Sequence, residues 1–145
     1  MQRVLFIGGP GNISTTAIEQ AAEHFGTAVF TLPESPADGL PPQVKLYRGD
    51  RNDAGALGAA VADFRPDVTV DTVCFTPEQA RAMVRLLSGR VAQHIFLSTV
   101  DVYGYPLPPS QFRRTTSRVR RWVSMRWTRS PARRSSGAPR RPVFR

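Results

Sequence analysis

The chain has one cysteine, one lysine and no acidic residue after Asp101. With Cys74 as the only thiol, an internal disulfide is excluded and a reducing compartment is expected. No apolar run approaches the roughly 20 residues that span a bilayer. The N-terminus also lacks the basic and apolar regions of a secretory leader. We therefore expect a cytoplasmic protein without a membrane segment.

Charge is distributed unevenly along the 145 residues, whose formal net charge is +9. Residues 1–109 carry eight basic and eleven acidic side chains, a net charge of −3, whereas residues 110–145 carry twelve arginines and no acid. The second segment is rich in arginine, serine and proline, and it cannot bury enough apolar surface to offset its ordering entropy. We expect a folded domain over residues 1–109 and a disordered basic tail over residues 110–145.

Short apolar runs alternate with amphipathic segments over the first 109 residues. The runs that predict strands are residues 4–7, 28–32, 44–47, 68–73 and 95–100. Helices are expected after the first, third and fourth runs, whereas the proline-rich residues 33–43 indicate a loop. This alternation predicts an α/β fold, a Rossmann-like doubly wound parallel sheet of about five strands.

Local signals fix where the predicted helices begin and which faces they bury. Asp53 is the expected N-cap of the second helix. Thr76, followed by Pro77 and Gln79, forms a capping-box start for the third. In the first helix, a four-residue apolar spacing predicts one packed face. That face comprises Ile13, Ala17, Ala21 and Phe25.

A glycine-rich loop joins the first strand to the first helix. Gly9-x-Gly11-x-x-Ser14 matches the dinucleotide-binding fingerprint with serine at the third glycine position. The overlapping Gly8-x-x-Gly11-x-x-Ser14 has the spacing of short-chain dehydrogenases. Either spacing lets backbone N–H groups approach a pyrophosphate at a helix N-terminus, and an ordinary strand-to-helix turn is the alternative. The predicted cofactor-binding residues of this loop are Gly8, Gly9, Gly11, Asn12 and Ile13.

Glu34 follows the second predicted strand, about 20 residues beyond the glycines, where a Rossmann site carries an acid for the ribose hydroxyls. No arginine lies in that stretch to receive a 2′-phosphate, which favours NAD over NADP. A solvated loop residue is the alternative interpretation of Glu34.

Three stretches together resemble the NAD-dependent epimerase/dehydratase group of the extended short-chain dehydrogenase/reductase family. They are residues 4–14, Gly49-Asp50-Arg51-Asn52-Asp53, and the sequence Phe-Leu-Ser-Thr-Val-Asp-Val-Tyr-Gly at residues 96–104. The resemblance covers residues 3 to about 109, which correspond to the cofactor-binding half of the family. It implies NAD (or NADP) as the cofactor and, in full-length relatives, a nucleotide-sugar substrate.

The resemblance also implies roles for individual residues. Asp50 and Arg51 would lie beside the adenine, with the Asp50 carboxylate accepting a hydrogen bond from the exocyclic amine; a simple turn is the alternative. The segment Val73-Cys74-Phe75 would lie along the ribose side of the cofactor. Thr99 would be the catalytic threonine that hydrogen-bonds the substrate. Cys74 is expected to be a packing residue, and no metal site is expected.

The family's Tyr-x-x-x-Lys acid–base pair is missing, because no tyrosine follows Tyr105 and Lys45 is the only lysine. We therefore expect a truncated, catalytically impaired domain, with a tail whose composition is typical of out-of-frame translation. The alternative function is nucleic-acid binding by the arginine-rich tail, with Trp122 and Trp127 stacking on bases. The open edge of the fifth strand would permit self-association.

Overall fold

Strands and helices alternate in the computed structural model, which describes residues 1–99 and 124–126. The strands are β1 (Arg3–Ile7), β2 (Gly26–Thr31), β3 (Lys45–Arg48), β4 (Val68–Asp71), β5 (Gln93–Phe96) and β6 (Ser124–Arg126). The helices are α1 (Ser14–His24), α2 (Ala54–Phe64) and α3 (Pro77–Leu87). The connection between β2 and β3 holds no helix, as its prolines predict.

The strands form one sheet in the order β3-β2-β1-β4-β5-β6. The first five are parallel, and β1 lies at the centre with Leu5 between Ala28 of β2 and Thr69 of β4. The chain reverses its direction of progress across the sheet at β1, which places a crevice between the carboxyl ends of β1 and β4. The predicted five-stranded parallel sheet is confirmed.

The sixth strand was not predicted from the sequence. It pairs antiparallel with β5, with Ser124 opposite Ile95. A three-residue strand is too short to show an alternating pattern, and its pairing uses backbone groups that carry no sequence signal. The other predictions for the tail, together with the proposed domain boundary at residue 109, lie outside the described residues.

Helices cover both faces of the sheet, so the predicted doubly wound arrangement is confirmed. On one face, Leu5 and Phe30 belong to a buried cluster with Leu57 of α2 and Met83 of α3. On the other face, Val4, Phe6 and Val29 pack with Ile18 of α1. Since apolar burial stabilises by about 25 cal/mol per Å², these two layers supply the main driving force for folding.

The packed face of α1 is shifted by one position along the sequence from the predicted face. The helix buries Ser14, Ile18 and Ala22, whereas Ile13 is 68% exposed and Phe25 is 36% exposed. Both sets have the same four-residue spacing, so the period alone does not determine which is buried. Because the helix begins at Ser14, the row that faces the sheet starts there, about 100° around the axis from the predicted row.

The starts of α2 and α3 confirm the capping predictions. The Asp53 carboxylate accepts hydrogen bonds from the N–H groups of Gly55 and Ala56. Thr76 and Gln79 form a reciprocal capping box, with Pro77 at the first helical position. Within the described part of the chain, no helix has the length and apolarity needed to cross a membrane.

Replacing Asp53 with alanine removes the acceptor for two otherwise unpaired N–H groups of α2. We expect a loss of about 1 kcal/mol in the free energy of unfolding, measured in urea. Asp53→Asn keeps the capping oxygen and should retain most of the stability. Equal stability of the alanine variant and the parent chain would contradict this role.

Candidate functional site

A cleft of about 310 Å³ opens at the carboxyl ends of β1 to β4. Parallel strands bring these ends to one edge of the sheet, where ligands of open α/β sheets bind. The lining residues come from the ends of four strands and from α3. They are Gly8, Gly9, Phe30, Thr31, Leu32, Ser35, Gly49, Asp50, Arg51, Asn52, Val73, Phe75 and Gln79.

Two residues of the glycine loop are restricted to glycine by their backbone. Gly8 has φ of +89° and Gly9 has φ of +107°, a region that side chains disfavour. A Cβ atom at Gly8 would lie 2.6 Å from a methyl carbon of Val73, and one at Gly9 would lie 2.5 Å from the Ser14 hydroxyl oxygen. The Gly8 N–H donates to the Phe30 carbonyl at 2.8 Å, which ties the loop to β2. The loop can therefore pass closely over the cleft only with glycine at both positions.

Gly11 is different, because a Cβ there would meet only the Ser14 hydroxyl oxygen, at an ordinary 3.6 Å. Its N–H donates to the Thr15 hydroxyl at 3.1 Å. Asn12 and Ile13 follow it as exposed residues, and none of the three is among the residues that line the cleft. Ile13 occupies the N-cap position of α1 without a side-chain cap. The first-turn amides of α1 thus lack the side-chain acceptors that α2 and α3 have.

The base of the cleft contains a buried ion pair. The Arg51 Nη2 atom lies 2.6 Å from Asp71 Oδ2, and the two side chains are 9% and 0% exposed. The other carboxylate oxygen of Asp71 accepts from the Val73 N–H at 3.1 Å. Arg51 Nε is buried without a hydrogen-bond partner among the described residues. The guanidinium of Arg51 is thus directed at Asp71, in the interior, although the residue is also one of those that line the cleft.

Asp50 and Val73 are both among the residues that line the cleft. Asp50 is exposed, and its Oδ1 atom accepts from the backbone N–H of Asn52 at 2.7 Å. Val73 is half-buried against Gly8. Glu34 is exposed three residues beyond the end of β2 and is not one of the residues lining the cleft.

Arg48 lies against the loop after β2, although that stretch of the sequence contains no arginine itself. It is the last residue of β3, and the parallel register pairs it with Thr31 at the end of β2. Its Nη1 atom donates to the carbonyl oxygens of Leu32 at 3.0 Å and Ser35 at 2.5 Å. The sequence places Arg48 far from this loop, and only the pairing of β2 with β3 brings them together.

Thr99 and Cys74 complete the set of predicted residues. Thr99 is exposed, three residues beyond β5 at the same edge of the sheet. The rest of the third motif, residues 100–104, lies outside the described residues. Burial raises the pKa of the Cys74 thiol, and the nearby Asp71 carboxylate raises it further. The thiol is therefore protonated at neutral pH, which suits packing rather than nucleophilic attack.

His94 lies on the sheet face that carries Asp71. Its Nδ1 atom is 2.8 Å from the Thr69 hydroxyl oxygen, and burial lowers the pKa of the imidazole. Such an imidazole is neutral near pH 7. Over residues 1–99, no group of three or more histidine, cysteine, aspartate or glutamate side chains is placed to hold a metal ion.

Solved structures of epimerases share this architecture. The enzyme WbmG of Bordetella bronchiseptica, in complex with NAD, matches with a TM-score of 0.64 and 21% identity over 74% of this chain and 40% of its own. A putative epimerase from Burkholderia cenocepacia matches with a TM-score of 0.61 and 26% identity, over 71% of this chain and 39% of its own. UDP-glucose 4-epimerase from Bifidobacterium longum, in complex with NAD⁺ and UDP, matches with a TM-score of 0.59 and 22% identity. The match covers 71% of this chain and 38% of that enzyme.

The described residues have the fold of the NAD-dependent epimerases and short-chain dehydrogenases. This confirms the resemblance found in the three motifs at the level of the fold. The chain spans about 40% of the length of the structures it matches. No family model and no curated protein matches the sequence.

Seven of the residues that line the cleft had no role there in the sequence analysis: Phe30, Thr31, Leu32, Ser35, Gly49, Asn52 and Gln79. Among them, Gln79 was recognised only as part of a capping box. The motif Gly49-Asp50-Arg51-Asn52-Asp53 contains Asn52, but the partner of its amide lies on α3. The pairing of β3 with β2 and of β4 with β1, not a local pattern, brings these residues to one site.

Replacing Arg51 with methionine leaves the Asp71 carboxylate buried without its counter-ion. We expect a loss of about 3–5 kcal/mol in the free energy of unfolding. The double variant Arg51→Met/Asp71→Asn removes both charges while keeping an oxygen for the Val73 N–H, and it should recover most of that loss. Urea denaturation of the three proteins measures the effect, and a single variant as stable as the parent would contradict the structure.

Proposed function

We propose that the chain binds NAD (or NADP) across the carboxyl edge of its sheet, as the cofactor-binding part of an epimerase- or dehydratase-like protein. The observation that carries the proposal is the cleft at the topological switch point, bounded by a loop that requires glycine at Gly8 and Gly9. Open α/β sheets with such a loop hold the pyrophosphate of a dinucleotide at this point.

The residues present fit a dinucleotide. No side chain caps the N-terminus of α1, so the positive end of the helix dipole is not already paired with a side-chain acceptor, although the Thr15 N–H donates to the Gly11 carbonyl at 3.0 Å. A volume of about 310 Å³ is at the lower end of the range for ligand sites and suits one nucleotide half of the cofactor. Asp50 lies at the cleft and is exposed, so its carboxylate can accept from the adenine amine.

The electrostatics of the cleft favour recognition by backbone amides. Arg51 is the only cationic side chain among the residues that line it, and the Asp71 carboxylate already neutralises that charge. A phosphate would therefore gain little from Arg51. Its charge would be stabilised by N–H groups of the glycine loop and by the N-terminus of α1. This is consistent with the close backbone approach that glycine permits.

The substrate proposed for full-length relatives is a nucleotide sugar, since UDP accompanies NAD⁺ in the Bifidobacterium structure. Bound NAD supplies a hydride acceptor for that chemistry. Thr99, at the same edge of the sheet, is proposed to hydrogen-bond the substrate. We further propose that this chain holds the cofactor without completing hydride transfer, because its sequence has no Tyr-x-x-x-Lys.

Isothermal titration of the full chain with NAD and NADP tests cofactor binding. We expect measurable heat with NAD, and we expect Gly11→Leu to abolish it. A Cβ at Gly11 meets only the Ser14 hydroxyl oxygen, so the variant should fold, and its side chain would lie beside the first turn of α1, where the proposal places the pyrophosphate.

Ala62→Leu is the matched control, because it adds the same side chain to an exposed position of α2 away from the cleft. It should bind NAD as the parent does. A folded parent that gives neither heat nor a thermal shift with either dinucleotide would overturn the proposal. Undiminished binding by Gly11→Leu would overturn the assignment of the pyrophosphate to this loop.

A further inference from the structure

A chain of hydrogen bonds joins Asp50 to the start of α3 across the cleft. Asp50 Oδ1 accepts from the Asn52 side-chain Nδ2 at 2.9 Å. Asn52 Oδ1 in turn accepts from Gln79 Nε2 at 2.9 Å. Gln79 Oε1 accepts from the backbone N–H groups of Phe75 at 2.7 Å and Thr76 at 3.2 Å. We call this set of side chains, Asp50, Asn52 and Gln79, the amide relay.

The direction of the amide relay is determined at both ends. Backbone N–H groups can only donate, so the Gln79 oxygen must face Phe75 and Thr76. Its NH₂ group then faces Asn52 and requires the oxygen of that amide. The Asn52 NH₂ group is left facing Asp50, whose carboxylate can only accept. Neither amide can be reversed without setting two acceptors or two donors against each other.

The relay leaves one side of the Asp50 carboxylate available. Both bonds to Asp50 from Asn52 end on Oδ1, and Oδ2 has no hydrogen-bond partner among the described residues. Phe75, which the relay holds through its N–H, is 81% exposed and also lines the cleft. A carboxylate acceptor and an aromatic ring therefore both line the cleft, where the first can meet the edge of a base and the second its face.

We propose that Gln79 is a specificity-positioning residue, which acts through Asn52 to hold Asp50 so that the site selects a purine carrying a 6-amino group. The inference rests on the proposed dinucleotide function. It adds two residues, Asn52 and Gln79, that position Asp50 without touching the base. An adenine amine donates to Asp50 Oδ2. A purine with hydrogen at position 6 has no donor there, so it loses this hydrogen bond.

The test compares NAD with nicotinamide purine dinucleotide, which has hydrogen in place of the 6-amino group and differs only there. Titration of the parent chain should show NAD binding about tenfold to a hundredfold more tightly, the range for a hydrogen bond to a charged acceptor. Gln79→Glu should reduce this ratio to near one. A glutamate keeps the capping box, but it cannot donate to Asn52, so the Asn52 amide reverses and turns its oxygen towards Asp50.

Thermal unfolding separates this effect from a structural one, because glutamate at the third helical position also caps well. Gln79→Glu should therefore melt within a few degrees of the parent. Ala80→Glu is the matched control: it adds the same charge at an exposed position one residue along, outside the relay. It should keep the parent's ratio, which accounts for any general repulsion of the cofactor.

Each result has one meaning. A loss of the preference for NAD over the second dinucleotide in Gln79→Glu, but not in Ala80→Glu, supports the inference. An unchanged ratio in Gln79→Glu, or a parent that binds both dinucleotides equally, overturns it while leaving dinucleotide binding intact. A folded parent that binds neither dinucleotide overturns the proposed function and this inference together.

Discussion

The buried ion pair between Arg51 and Asp71 is the interaction on which the geometry of the cleft depends. Asp71 ends β4 with its side chain fully buried, where an unpaired carboxylate would cost several kcal/mol. Arg51 comes from the loop after β3, so the pair joins the ends of two strands that β2 and β1 separate in the sheet. The second oxygen of Asp71 holds the Val73 N–H, and Val73 packs where a Cβ of Gly8 would lie. One pair thus positions the loop after β3, the loop after β4 and the glycine loop.

This pair also determines the kind of ligand that the cleft suits. Because the two buried charges cancel, the cleft offers an anion backbone amides and a helix terminus rather than a free cation. The positive φ values of Gly8 and Gly9 bring that backbone close to the edge of the sheet. Amides that approach an extended phosphate group at the end of a parallel strand are typical of dinucleotide sites. In the proposed complex, the base would lie farther along the edge, where Asp50 lines the cleft.

Predictions from local sequence succeeded where short-range chemistry decides the structure. Asp53 and Thr76 cap their helices because a side-chain oxygen reaches N–H groups two or three residues away. The predicted packed face of α1 was wrong by one position, because a four-residue spacing fits the row that contains Ile13 as well as the row that contains Ile18. The contacts of Arg48 and the pairing of Arg51 with Asp71 could not be predicted. Both join residues far apart in sequence, and only the sheet register brings them together.

Hydrogen–deuterium exchange of the full chain, with and without saturating NAD, tests the central claim most directly. The claim is that the cofactor lies along the carboxyl edge, between the glycine loop and the loop after β3. It predicts slower exchange on binding in peptides covering residues 8–14 and residues 49–53, with α1 beyond its first turn and the outer face of α2 unchanged. Saturable binding that leaves exchange in residues 8–14 unchanged would contradict the claim.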